Sequence, residues 1–208
     1  MPSSRADHLI LTATSLEAGA AHVRAALGVE MQPGGEHERM GTHNCLLRLG
    51  EKLYLEVIAP NPAAPRPDRT RWFQLDEPDS IRTPRLATWA VRCDDIDAAA
   101  AASPVPLGKI EAMSRGSFEW LITVPEDGKL RLDGLAPTLI RWRSKTHPGE
   151  TLEDFGCSLQ RLEGSHPRPG EVRGLLESIG FAGEFAVSPG AASLAARIRT
   201  PAGERRLG

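Results

Sequence analysis

One order of strand and helix signals runs through this chain twice, and it limits the folds open to it more than any other feature. HLILTAT (8–14) reads as a strand, short and rich in strand formers. Ser15 then caps a helix, SLEAGAAHVRAAL, whose Leu16, Ala20, Val23 and Leu27 share one face, and Gly28 ends it. VEMQ, THNCLLRL and KLYLEVIAP follow as strands, with a turn at Gly50-Glu51. The order β-α-β-β-β returns from residue 86. LATWAVRC is a strand, Asp94-Asp95 open the helix DDIDAAAAAS, two strands fall near 107–113 and 117–124, and PTLIRW (137–142) closes the unit. His8 aligns with Thr88 and Glu56 with Arg141, offsets of 80 and 85, so the two units read as an internal duplication. A third, shorter echo spans 157–208: SLQRLEGSH, the helix PGEVRGLLESIG, then FAVSP, SLAARIRT and RRL. The expected class is α+β. A first domain, 1–150, holds modules at 6–60 and 86–143, and 157–208 forms the third. Between the first two, residues 60–85 are rich in Pro and Arg and read mainly as a linker, with a short helix around Arg69–Leu75.

Composition excludes several classes of function. A net charge of −2 over 208 residues gives no strong pull toward nucleic acid or an anionic membrane. The densest arginine groups, Arg66/Arg69/Arg71 and Arg205/Arg206, lack interleaved aromatics and read as solvated surface. Four lysines stand against 21 arginines, the bias of a GC-rich genome. Cys45, Cys93 and Cys157 are odd in number and far apart, so they suit small core positions in a reducing cytoplasm better than a disulfide framework. The start MPSSRADH has no apolar signal core, and no apolar run reaches the roughly 18 residues of a membrane span. No GxSxG elbow, Walker loop or GxGxxG turn is present, and Asp94-Asp95-Ile96-Asp97 lacks calcium-loop spacing but suits a helix start. A cytoplasmic protein without nucleic-acid or membrane partners is expected, with a homodimer left open.

The segment GGEHERMGTHN (34–44) concentrates two of the six histidines beside two glycine-led turns. Gly34-Gly35 would permit a positive-φ loop that re-aims His37. His43 and Asn44 fall at the start of a strand and must face opposite ways, so one of them is structural. Thr42 and Asn44 have a second reading, in which they satisfy loop backbone. His8 and Glu56 likewise have two readings each: a hydrogen-bonded core imidazole and an outward-alternating carboxylate, or ligating groups on neighbouring strands. His22 and His166 read as solvated, and His147-Pro148 as a turn.

In the order DHLIL, GGEHERMGTHN and YLEVIA, the chain resembles the vicinal-oxygen-chelate superfamily, in its glyoxalase-like branch. The likeness covers about residues 6–150. It implies paired βαβββ modules curled into a mixed sheet, an open barrel or cup. It also implies a divalent metal, held by a His on the first strand and a Glu on the fourth strand of each module, that grips two adjacent oxygens of a substrate. His8 and Glu56 would be the ligands from the first module, and zinc, iron, manganese or nickel would suit them. The second module departs from the pattern, since Thr88 is a poor ligand and Arg141 brings a cation. Either His37 or His43 completes the set, or no metal binds and Arg141 receives an anionic ligand.

Three functions follow. The first is a metal-assisted lyase, isomerase or dioxygenase acting on a small oxygenated molecule. His8 and Glu56 would ligate, His37 would be a third ligand or general base, and His43 or Asn44 with Arg141 would bind substrate. The second is a metal-free protein that sequesters a small compound, with Arg141 to receive an anionic one. In the third, the C-terminal repeat fills the cup or builds a dimer and the fold is a scaffold.

Overall fold

The first unit is β1 (Ser4–Thr12), α1 (Leu16–Leu27), β2 (Gln32–His37), β3 (Thr42–Gly50) and β4 (Leu53–Pro60). These elements come from a computed structural model that describes residues 3–208. The Ser15 side chain accepts from the Ala18 N–H, and Gly28, at φ 73°, returns its N–H to the Arg24 carbonyl, so α1 is capped at both ends. After the short α2 (Pro78–Ile81), the second unit is β5 (Arg85–Cys93), α3 (Ile96–Ala102), β6 (Lys109–Arg115), β7 (Phe118–Val124) and β8 (Thr138–Trp142). Asp95 caps α3 on the Ala98 N–H. The chain continues through α4 (Pro148–Thr151) to β9 (Ser158–His166), α5 (Pro169–Ser178), β10 (Phe185–Pro189), β11 (Ser193–Thr200) and β12 (Gly203–Leu207).

Eight strands form one curled sheet in the order β2-β3-β4-β1-β5-β8-β7-β6. Each unit closes its own half by a parallel pairing of first and fourth strand, β1 on β4 and β5 on β8. The halves meet along antiparallel β1 and β5, where His8 lies opposite Ala90. Alternation then sorts the side chains. Leu9, Leu11, Trp89 and Val91 face one way, into a core with Val23, Leu27, Ile96 and the C-terminal unit. Ile10, Ile58, Ala90 and Ile140 face the other way, into the concave side.

The C-terminal unit builds a separate sheet, β10-β9-β11-β12, against the convex side. It repeats the element order of the other two but not their pairing, since its first strand is central and runs parallel to its second, β10. Phe181 and Phe185 pack edge-on against fully buried Trp89 at 5.0 and 5.2 Å. Burial of that indole contributes on the order of 4–6 kcal/mol before entropy is counted. Cys45, Cys93 and Cys157 are unpaired and buried, and burial pushes the Cys45 and Cys93 thiols up to about 11 and about 12. Among the described residues no helix is long and apolar enough to cross a membrane.

The segment between the halves differs from the linker expected. Residues 69–75 form turns, not a helix, and the helix there is α2. Arg71 closes a tight loop by giving its backbone N–H and its guanidinium to Asp76, both at 2.7 Å. Inside that loop Phe73 and Gln74 take φ of 56° and 57°, a left-handed path costly for bulky residues. Trp72, Phe73 and Leu75 fill the concave side with Met113, Trp120 and Ile122, and this burial offsets the strain. The segment is the inner filling of the cup.

Candidate functional site

His8 projects from β1 into the concave side, 5% exposed. Its Nδ1 meets Asp7 Oδ1 at 2.7 Å, although strand neighbours ordinarily point to opposite faces. A register shift between Ala6 and His8 in the β1–β5 pairing resolves this, because a bulge at Asp7 re-aims that side chain. Asp7 is wholly buried and accepts two further bonds at Oδ2, from Trp142 Nε1–H at 2.9 Å and from His147 Nε2 at 3.1 Å. The His147 tautomer is set locally. Its Nδ1 accepts the Gly149 N–H at the start of α4, so the proton sits on Nε2 and is given to Asp7. Burial pushes the Asp7 carboxyl up, but the hydrogen bonds from His147 and His8 outweigh it and hold the group well below the usual carboxylate range. An ionised Asp7 draws a His8 proton to Nδ1 and so turns Nε2 into the cup.

That nitrogen faces Glu56 of β4. The Glu56 Oε2 atom lies 3.7 Å from His8 Nε2, and Asn44 Nδ2–H donates to Oε1. The amide of Asn44 is oriented by the Gly35 N–H, which donates to its Oδ1 at 2.8 Å. Gly34 and Gly35 do not form the positive-φ loop expected of them. Both lie in strand β2, and neither has a positive φ. Glycine is needed at 34 for close approach, because a Cβ there would sit 2.0 Å from Asn44 Oδ1.

His37 ends β2, buried, with Nδ1 on Thr42 Oγ1 at 3.2 Å and its ring edge-on to Trp72 at 5.2 Å. Burial pushes its imidazole down to about 4, with Arg115, His8 and His43 adding to the effect against the pull of Glu56. Tyr54 stacks on His8 with ring centroids 4.7 Å apart. His8, Glu56, His37, Tyr54, Trp72 and Arg115 enclose a cavity of about 20 Å³, room for one water. His37, Trp72, Arg115 and Trp120 also line a vestibule of about 160 Å³ outside it.

The structure thus brings His8, Glu56, Asn44 and His37 together and leaves two expected residues outside. His43 lies on the opposite strand face, toward α1, where Glu17 feels its charge. Arg141 is exposed and lines a separate basic groove with Arg5, Lys52, Arg92 and Lys145. The cause is register. His8 lies opposite Ala90; Tyr54 pairs with His8 as Thr138 pairs with Ala90; Glu56 and Ile140 each stand two residues further on. On the concave side the second half therefore sets Ala90 opposite His8 and turns Ile140 inward, and the one-residue slip to Arg141 put that side chain on the wrong face. Thr88 instead gives its hydroxyl to the Ala136 carbonyl. Asp7, His147, Trp142, Trp72 and Arg115 were missed as site residues. The Asp7-His8 pair stood in the sequence, but the bulge that joins them did not. His147 read as a turn but is buried on Asp7, and His166, expected in solvent, is buried against Asp133.

The Glyoxalase-like domain family profile matches residues 6–180. The chain belongs to the glyoxalase-like domain family. That family lies within the vicinal-oxygen-chelate superfamily. No curated protein matches the chain. Among solved structures, a hypothetical protein from Staphylococcus aureus shares 12% identity and a TM-score of 0.62, over 91% of this chain and 88% of that one. The Mn(II)-bound glyoxalase from Novosphingobium aromaticivorans shares 10% identity and a TM-score of 0.52, over 93% and 64%. A Streptomyces coelicolor methylmalonyl-CoA epimerase shares 17% identity and a TM-score of 0.44, over 70% and 100%. At such identities the likeness to these structures is one of fold.

The cup of this glyoxalase-like protein does not fit the metal that its superfamily implies. His8 Nε2 and Glu56 Oε2 face one another, but the second half sets only Ala90 opposite His8 and Ile140 on the same concave side. Among the described residues no three of His, Cys, Asp and Glu come together as a metal-holding group. Two donors, one of them shared with Asn44, leave most of a coordination sphere to be supplied from elsewhere.

Proposed function

We propose that this glyoxalase-like protein is a metal-independent enzyme that moves a proton on a small oxygenated molecule, as an isomerase or lyase. The observation that carries this reading is the Asp7–His8–Glu56 line. Asp7 holds the His8 proton on Nδ1 at 2.7 Å and leaves Nε2 bare inside the cup. A bare imidazole nitrogen in a nearly dry cavity is a general base. It takes a proton from the carbon beside a substrate carbonyl, and the imidazolium so formed lies between two carboxylates, Asp7 at one nitrogen and Glu56 at the other. The proton returns to carbon in an isomerase, or to a leaving oxygen in a lyase, with Glu56 Oε2 near enough to His8 to pass it on. His37, kept neutral by burial, and Asn44, which fixes Glu56, position these groups.

Deuterium exchange tests the reading. Small 2-oxo acids and hydroxyketones are incubated with chelator-treated protein in D₂O and followed by proton NMR. Exchange is expected without metal, and His8→Gln should slow it about 10²- to 10⁴-fold. Exchange that requires added metal, or that survives His8→Gln, refutes the reading. Tight binding without exchange assigns the cup to sequestration.

A further inference from the structure

We infer that the molecule received by the cup is a small carboxylate, and that Arg115 together with the Trp72 indole N–H binds its carboxylate group. The inference rests on the cup being the ligand site proposed above, and it adds which end of the molecule points outward.

Two unused donors carry it. Basic side chains near the mouth are otherwise engaged. Arg39 and Arg69 both bind Glu111, Arg39 also reaches the Ala112 carbonyl, and Arg71 binds Asp76. Arg115 has no hydrogen-bond or carboxylate partner among the described residues, yet it lines both the inner cavity and the vestibule. Its position is nonetheless built. The guanidinium lies over the Phe118 ring at 5.9 Å, and its stem passes so close to Gly35 that a Cβ there would come within 2.9 Å of Arg115 Cδ. The second donor is Trp72, which is 3% exposed and whose Nε1–H is buried without an acceptor. An orphaned buried donor costs about 1–3 kcal/mol, a cost that an arriving acceptor removes. Trp72 lines the same two spaces as Arg115.

A planar guanidinium on the wall of the passage, beside an indole whose buried N–H lacks an acceptor, matches the oxygens of a carboxylate. The interior end is closed to such a group by charge, because Asp7 and Glu56 already stand beside His8. The anion therefore stays at the Arg115 end and the reacting carbon points at His8 Nε2. Glu36 and Glu38 also line the vestibule, but both are exposed at its rim, where water screens them.

The test compares acids with their neutral esters. Pyruvate, glycolate and 2-hydroxybutyrate are titrated calorimetrically against their methyl esters. Wild-type protein should bind at least one acid about tenfold or more tighter than its ester. Arg115→Met should abolish that preference, Arg115→Lys should restore part of it, and Trp72→Phe should weaken the acid several-fold. Melting curves check that each variant is folded. His8→Gln should keep the preference for acids while losing deuterium exchange, so failure of the proton-transfer reading is distinguishable from failure of this one. Esters bound as tightly as acids, no acid bound at all, or a preference that survives Arg115→Met would each overturn the inference.

Discussion

Replacing Asp7 by Asn keeps its shape and removes its charge, at the position on which the site's orientation depends. Three N–H donors converge on this wholly buried carboxylate: His8 at 2.7 Å, Trp142 at 2.9 Å and His147 at 3.1 Å. Asparagine offers one acceptor oxygen and one amide donor. The oxygen is expected at the Oδ2 position, where Trp142 and His147 both donate, and the amide then faces His8 Nδ1. His8 can accept that bond only by moving its own proton to Nε2, toward Glu56, and the base disappears. Three charge-assisted bonds become ordinary ones at roughly 1 kcal/mol each, so a loss of about 3 kcal/mol is expected. For a domain of this size that is a fall of roughly 6–12 °C in melting temperature. The pH dependence has a definite sign. The folded carboxyl lies below its ordinary value of 3.8, so the stability it contributes is present above that pH and is lost only as pH falls further. The gap between wild type and Asp7→Asn should therefore stay constant from pH 7 to 5 and close in stronger acid, with deuterium exchange lost throughout. Melting curves across that range, read beside the exchange assay, decide it. A fall under about 2 °C, or a gap already closing between pH 7 and 5, would refute the picture of Asp7 as an ionised hub.

Two other perturbations follow from the same geometry. His37 is held down to about 4 from 6.5, so its contribution is complete above pH 6.5 and is lost as pH falls through 4. Denaturant unfolding should show wild type losing stability over that window more steeply than His37→Gln, by about 1 kcal/mol per pH unit at the steepest, and parallel curves would count against a neutral buried imidazole. Ala90→His combined with Ile140→Glu places a second His–Glu pair opposite the first. The double variant should retain about one equivalent of zinc or manganese after dialysis where wild type retains little; equal retention by both would mean that the register-based account of the missing ligands is mistaken.

Much of the architecture could be read from pattern. Ser15 and Gly28 bracket α1 as expected, and the repeated β-α-β-β-β order is present in all three units. Periodicity reports which residues alternate, and that information survives small errors in element ends. Pairing is a different quantity. The alignment that set Glu56 against Arg141 was off by one residue from Ile140, which hardly matters for drawing a strand and decides everything about which face a side chain takes. Long-range features were the least legible. The 60–85 segment looked like a linker because its prolines and arginines resemble one, whereas Trp72 and Phe73 enter the cup only because Arg71 and Asp76 pinch the loop. The reach of His147 to Asp7 across the chain is invisible to any local pattern.

The register also explains how a duplicated fold can carry an unduplicated site. Both halves turn strands into the cup, but the first places His8 and Glu56 there and the second Ala90 and Ile140. The second half and the segment behind it have not become inert. Trp142 at the end of β8 and His147 before α4 both donate to Asp7, so they act on the first half's imidazole through one carboxylate. A second pair of donors would divide a cation between two halves; two hydrogen bonds into Asp7 instead fix one tautomer on one ring. Because the donors and the bulge are in place before any ligand arrives, the proposed proton transfer would need little reorganisation. In this cup the symmetry of the backbone serves to orient a single imidazole, and the apolar half supplies its dry surroundings.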